Sequence, residues 1–145
     1  MSLGDLVRSA VAHFSARADE RGLDLGAVAS GEPIVQGDSH QLAILLNNLV
    51  DNALRHSPAG GRIDVAARLE DGHPMLVVTD NGPGIAPSER QRVFDRFYRA
   101  APNGTGGSGL GLAIVKAVAE QHGASVVLDD APGGGLRVTV RFPAA

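Results

Sequence analysis

Apolar residues recur along this chain with two different periods, and the switches between them mark out its elements. Over residues 2–21, Leu3, Leu6, Val7, Ala10, Val11 and Phe14 repeat at helical spacing with charges opposite. A packing or connecting helix, stopped by Gly22, is expected there. Residues 23–28 alternate as a short strand, and Ile34-Val35 beside Pro33 suggests a second. Residues 42–57 return to the helical period. At about 100° per residue, Leu42, Leu45, Leu46, Leu49 and Ala53 share one face, while Asn48, Asn52, Arg55 and His56 line an adjoining stripe. Asp38 with Gln41 starts this helix in the manner of a capping box, and Ser57-Pro58 with Gly60-Gly61 ends it.

Residues 62–69 read as a strand, Glu70-Asp71-Gly72 as a hairpin turn, and residues 75–79 as its more buried antiparallel partner. Pro87-Ser88-Glu89 opens a short helix ending near Val93, and a loop of small, polar and Pro residues follows the aromatic-rich stretch 94–99. A helix is expected over 108–122, closing at Gly123, then strands at 124–128 and 136–142 joined through Pro132-Gly133-Gly134-Gly135. The pattern predicts an α+β two-layer sandwich: a mixed, mostly antiparallel sheet of about five strands, covered on one face by about three helices, rather than a doubly wound sheet. The expected organisation is a helix over 1–22 followed by one domain over 23–145.

Composition narrows the chemistry. With 145 residues the chain can bury a core without staples, and with no cysteine it has neither disulfides nor thiolate metal sites. The net charge of −3, with no run of either sign, advertises no nucleic-acid or membrane surface. No apolar run approaches the roughly 18 residues of a membrane span, and the N-terminus lacks a signal-peptide pattern. The five histidines are scattered without metal-ligand spacing; His40 in a helix's first turn and His122 before a C-cap glycine hold commonplace positions. A G-x-S-x-G elbow is absent too, which leaves hydrolase chemistry little support.

Four stretches carry candidate chemistry. Asn48 and Asn52, four residues apart, offer neutral oxygen ligands with Arg55 and His56 as donors one turn on. That set suits a Mg²⁺-bound polyphosphate better than acid/base work, although asparagines on a half-buried helix can also merely satisfy local backbone. Asp80 stands where a buried strand hands over to Asn81-Gly82-Pro83-Gly84-Ile85. A carboxylate there can accept from a base's exocyclic amine, with Gly82 and Gly84 allowing close backbone approach; the same residues also make an ordinary turn capped by Asp80. Residues 104–115 form a glycine-dense loop running into a helix, the arrangement in which backbone N–H groups cradle phosphate oxygens. Residues 104–109 spell G-x-G-x-x-G, but no strand directly precedes them and no Gly-Lys-Ser/Thr follows, so neither a dinucleotide fold nor a Walker A loop is indicated. Phe94, Phe97 and Tyr98, interleaved with Arg96 and Arg99, pair aromatic anchors with outward cations.

In this order and spacing the blocks resemble the catalytic ATP-binding domain of sensor histidine kinases, within the wider family of gyrase, Hsp90 and MutL (the Bergerat fold). Residues 48–57 resemble its N box, 80–85 its G1 box, 94–99 its F box and 106–112 its G2 box, over a match of about residues 38–142. The resemblance implies that Asn48 and Asn52 hold Mg²⁺, that Asp80 contacts the adenine amine and that Gly82, Gly84 and Ile85 line the adenine pocket. Arg55 and His56 fall near the phosphates, Gly107, Gly109, Leu110, Gly111 and Leu112 wrap the triphosphate, and Tyr98 belongs to the nucleotide side of the F box, where Arg96 or Arg99 steadies the lid.

It further implies an ATP- and Mg²⁺-dependent protein-histidine kinase in two-component phosphorelay signalling, whose acceptor histidine lies on a separate dimerisation domain. His13 lacks the acidic neighbour and following proline of such an acceptor. The expected partners are that dimerisation domain and, indirectly, a response regulator; a monomer forming the cytoplasmic portion of a membrane-anchored sensor is the default expectation. The competing readings are a hydrolysing ATPase of the same family, with Asp51 activating water, and a nucleotide-binding pseudokinase that signals by docking.

Overall fold

A computed structural model describes residues 1–82, 111–132 and 134–144. In chain order the elements are α1 (Leu3–Glu20), β1 (Asp24–Ala29), α2 (Ser39–His56), β2 (Arg62–Glu70), β3 (His73–Asp80), α3 (Gly111–Gln121), β4 (Ser125–Asp130) and β5 (Leu136–Arg141). The sheet runs β1-β2-β3-β5-β4, with β1 and β2 parallel and the other neighbours antiparallel. The expected α+β two-layer sandwich is therefore the observed one. α2 is the crossover that the parallel β1–β2 pair requires, whereas Asp71-Gly72 suffices to turn β2 into β3.

Strand alternation decides which side chains meet the helices. Val65, Val78, Val138 and Leu128 lie side by side across four strands, as do Ala67, Leu76 and Val140 across three, and all are buried. Against them α2 lays Leu42, Leu45, Leu46, Leu49 and Ala53, the stripe read from its periodicity, and α3 contributes Leu112, Val115 and Val118. Leu3, Val7, Ala10 and Phe14 of α1 belong to the same core cluster.

Both long helices begin with side-chain caps. Ser2 Oγ accepts from Asp5 N, and Asp38 accepts from His40 N and Gln41 N. The strand expected at Ile34-Val35 is replaced by an isolated bridge between Ile34 and Ser2. Pro33 has no N–H to extend a ladder there, and α1 starts one residue after Ser2. α3 is described from Gly111; residues 108–110 and the short helix expected near 87–93 lie outside the described residues.

Candidate functional site

α2 carries most of the polar groups in question. Asn48, half-buried, donates Nδ2 to Ile44 O at 2.8 Å, which leaves Oδ1 as the atom open to another partner. That oxygen faces the first residue of α3: a methyl group built on Gly111 would stand 3.4 Å from it. Asn52 follows one turn later and is also half-buried, while the Leu112 side chain enters the core. Arg55 donates Nε to Asp51 Oδ2 at 2.8 Å, and Asp51 Oδ1 accepts from Arg17 of α1 at 2.5 Å. One carboxylate thus ties the last turns of α2 to α1.

Asp80 closes β3 on the face it shares with Leu76 and Val78, toward the helices, and is 6% exposed. Its Oδ1 accepts Gly82 N at 2.9 Å and Leu136 N at 3.3 Å. Oδ2 has no hydrogen bond from any described residue. Burial pushes the carboxyl above its ordinary 3.8, against the two amide hydrogen bonds and the nearby His56, which favour the charged form. His56 sits below its ordinary 6.5 because of desolvation, opposed by Asp80 and reinforced by Arg55. Gly82 packs under the end of α2 so closely that a Cβ would fall 2.7 Å from His56 O.

Of the residues singled out from the sequence, Asn48, Asn52, Arg55, His56, Asp80, Gly82, Gly111 and Leu112 can be placed. His56 and Asp80 lie close enough at the C-terminal end of α2 for each charge to act on the other, and Asn48 and Gly111 meet eight residues earlier, about 12 Å along the helix. Gly84, Ile85, Arg96, Tyr98, Arg99, Gly107, Gly109 and Leu110, together with Phe94 and Phe97, lie outside the described residues.

The strand beginning at Leu136 was read from the sequence, but its approach to Asp80 was not. Gly135, at φ +101°, passes so close to the backbone of Asp80 and Asn81 that a Cβ would lie 2.7 Å from Asn81 Cα. That approach delivers the Leu136 amide to Asp80, and its signal was the glycine run at 133–135, which reads equally well as a plain connection. Asn81 was also overlooked; its Oδ1 accepts Arg62 N at 2.8 Å and ties the residue after β3 to the start of β2.

Among the described residues no group of three or more His, Asp or Glu is placed to hold a metal ion, and no helix is long and apolar enough to cross a membrane.

Known proteins resemble the chain in both sequence and shape. Residues 37–145 match the family described as histidine kinase-, DNA gyrase B- and HSP90-like ATPase. The sensor-like histidine kinase SenX3 of Mycobacterium tuberculosis (strain ATCC 25618 / H37Rv) is 39% identical over 142 residues, 96% of this chain and 35% of that protein. MprB of Mycobacterium ulcerans (strain Agy99), a signal transduction histidine-protein kinase/phosphatase, is 50% identical over 103 residues, 70% of this chain and 20% of that protein. The chain thus spans about a third or less of the length of these relatives. Among solved structures, the mycobacterial sensor histidine kinase MprB superposes with a TM-score of 0.89 at 35% identity, covering 99% of this chain and 97% of that one. Full-length ShkA in complex with AMPPNP superposes at 0.87 and 31% identity, over 100% of this chain and 30% of that one. With the family's sequence pattern over most of its length, its five-stranded sheet and its Asn- and Asp-bearing elements in place, the chain belongs to the histidine kinase-, DNA gyrase B- and HSP90-like ATPases, as a catalytic domain of the sensor histidine kinase branch.

Proposed function

We propose that this domain binds ATP with Mg²⁺ along α2, adenine at the Asp80 end and phosphates toward Asn48 and Gly111, and donates the γ-phosphoryl group to a histidine on a separate dimerisation domain. The observation that carries the reading is the state of two oxygens. Asp80 Oδ2 and Asn48 Oδ1 take no hydrogen bond from any described residue, while the other half of each group is occupied. One suits an adenine amine; the other is the kind of neutral oxygen that completes a hydrated divalent ion's shell beside phosphate. Asn48 and Asn52 would hold Mg²⁺, whose chemistry is to neutralise the charge of the β- and γ-phosphates. The structure of full-length ShkA in complex with AMPPNP supports the same ligand class.

Catalysis in this reading is mainly positioning plus charge neutralisation. The roles of Gly82, Gly84 and Ile85 around adenine, of Arg55, His56, Gly107, Gly109, Leu110, Gly111 and Leu112 around the phosphates, and of Arg96, Tyr98 and Arg99 at the lid are part of the proposal. So are residues 1–22 as a connecting helix, a monomeric domain on the cytoplasmic side of an anchored sensor, and a response regulator as the final phosphate acceptor.

The hydrolytic alternative loses ground on one observation. Asp51 has a guanidinium on each carboxylate oxygen, Arg17 on one and Arg55 on the other, which leaves it badly placed to take a proton from water. Transfer of labelled γ-phosphate to the cognate dimerisation domain supplied in trans tests the main reading. Transfer lost in Asn52→Ala and Asp80→Ala supports it, and unchanged ATP affinity in both variants refutes the site.

A further inference from the structure

His122, one residue past α3, joins two elements that are far apart in sequence. Its Nδ1 lies 2.8 Å from Val118 O, and its Nε2 receives the backbone N–H of Asp38, the α2 N-cap, at 3.2 Å. A carbonyl can only accept and an amide N–H can only donate. The ring is therefore neutral, with its proton on Nδ1. Gly37 makes room for it: a Cβ there would fall 2.7 Å from His122 Cδ2 and 2.9 Å from Nε2.

The helices run antiparallel, and the clasp has a counterpart at the other end. From Asp38 to Asn48 is about 15 Å of helix, and from Gly111 to His122 about 16 Å. The His122–Asp38 bond and the Gly111–Asn48 approach thus bracket one shared length of helix. Between them α3 packs through Leu112, Val115 and Val118, apolar contacts that tolerate sliding better than a hydrogen bond does.

We propose that His122 is a positioning residue for nucleotide binding: by clasping the C-terminal end of α3 to the N-cap of α2, it sets the axial register of α3 and so how Gly111 is presented to Asn48. The inference rests on the reading that Mg²⁺ and phosphates bind where those two residues meet. Loss of the clasp lets α3 shift along α2, and ligand binding must then restore the register.

Isothermal titration with ATP and Mg²⁺, on variants shown by melting to be folded at the titration temperature, tests this. His122→Phe keeps the bulk of the ring but offers no acceptor, and should weaken ATP binding about three- to tenfold. His122→Gln, whose amide oxygen can take the Asp38 N–H, should restore affinity to within about twofold of wild type. Gly37→Ala should weaken binding like His122→Phe, because its methyl group expels the ring, yet should have little further effect in a Gly37→Ala/His122→Ala double variant. A His122→Phe variant that melts lower but binds ATP as wild type does would show a purely structural role and overturn the inference. Additive losses in the double variant would overturn it too. A wild-type chain that ignores ATP would instead bring down the proposed function, and this inference with it.

Discussion

Exchange of Asp80 for Asn should separate stability from binding in opposite directions. The wild-type carboxylate is 6% exposed, and burial raises its folded-state pKa above the 3.8 of an exposed aspartate. The folded protein therefore holds that proton more tightly than the unfolded chain does. As pH rises from about 3.8 through the folded value, this residue subtracts stability, and above that value the loss is constant. Asp80→Asn removes the charge and keeps an oxygen for the Gly82 and Leu136 amides, so ligand-free Asp80→Asn should melt above wild type at pH 7.5, with the gap closing in acid. Binding should move the other way. With the amide oxygen held by two backbone donors, the NH₂ takes the place of Oδ2 and meets the adenine amine donor to donor. Losing a charge-assisted hydrogen bond and leaving donors unpaired costs about 2–4 kcal/mol, a 30- to 1000-fold weaker Kd. Scanning calorimetry at several pH values and ATP titration measure the two effects. An Asp80→Asn variant less stable than wild type at pH 7.5, or one that binds ATP normally, would refute the reasoning.

Three further outcomes are expected. Gly135→Ala places a methyl group against the Asp80 and Asn81 backbone at φ +101°, and should cost about 3 kcal/mol or more in urea denaturation. Asp51→Ala should lose about 1 kcal/mol or less, since its ion pairs are partly exposed, and should leave any slow phosphate release unchanged; abolished release would restore Asp51 as a base. For His56, desolvation lowers the folded-state pKa below 6.5, with Asp80 opposing and Arg55 assisting. Its contribution to stability is complete above pH 6.5 and is lost as pH falls through the folded value, so His56→Gln should flatten the melting-temperature profile on the acid side of 6.5.

Where periodicity is local and strong, the sequence was readable. The buried stripe of α2, its Asp38 cap, and the β2–β3 hairpin around Asp71-Gly72 all follow from spacing and turn chemistry. Strand order did not, because alternation records which face a residue takes and not which strand lies beside it. The parallel β1–β2 pairing and the insertion of β5 between β3 and β4 are of that kind. In the candidate site, Asn48, Asn52, Asp80 and the glycines could be picked by chemistry. The Leu136 amide on Asp80 is a backbone group delivered across 56 positions, and His122 looked like an ordinary helix end until Asp38 was found against it. Arg55, read as a phosphate donor, is seen engaged with Asp51, an i,i+4 pair that spacing alone would have allowed.

The place of β5 bears on how the domain is born on the ribosome. Among the described residues β4 pairs only with β5, and Asp80 receives its second amide from that same strand, which follows β4 in the chain. A nascent chain that has emerged only as far as β4 contains α1, α2 and α3, yet lacks the strand that joins β3 to β4 and one of the two amides on Asp80. The sheet and the pair of amides on Asp80 are therefore completed together, when β5 enters between two strands made before it.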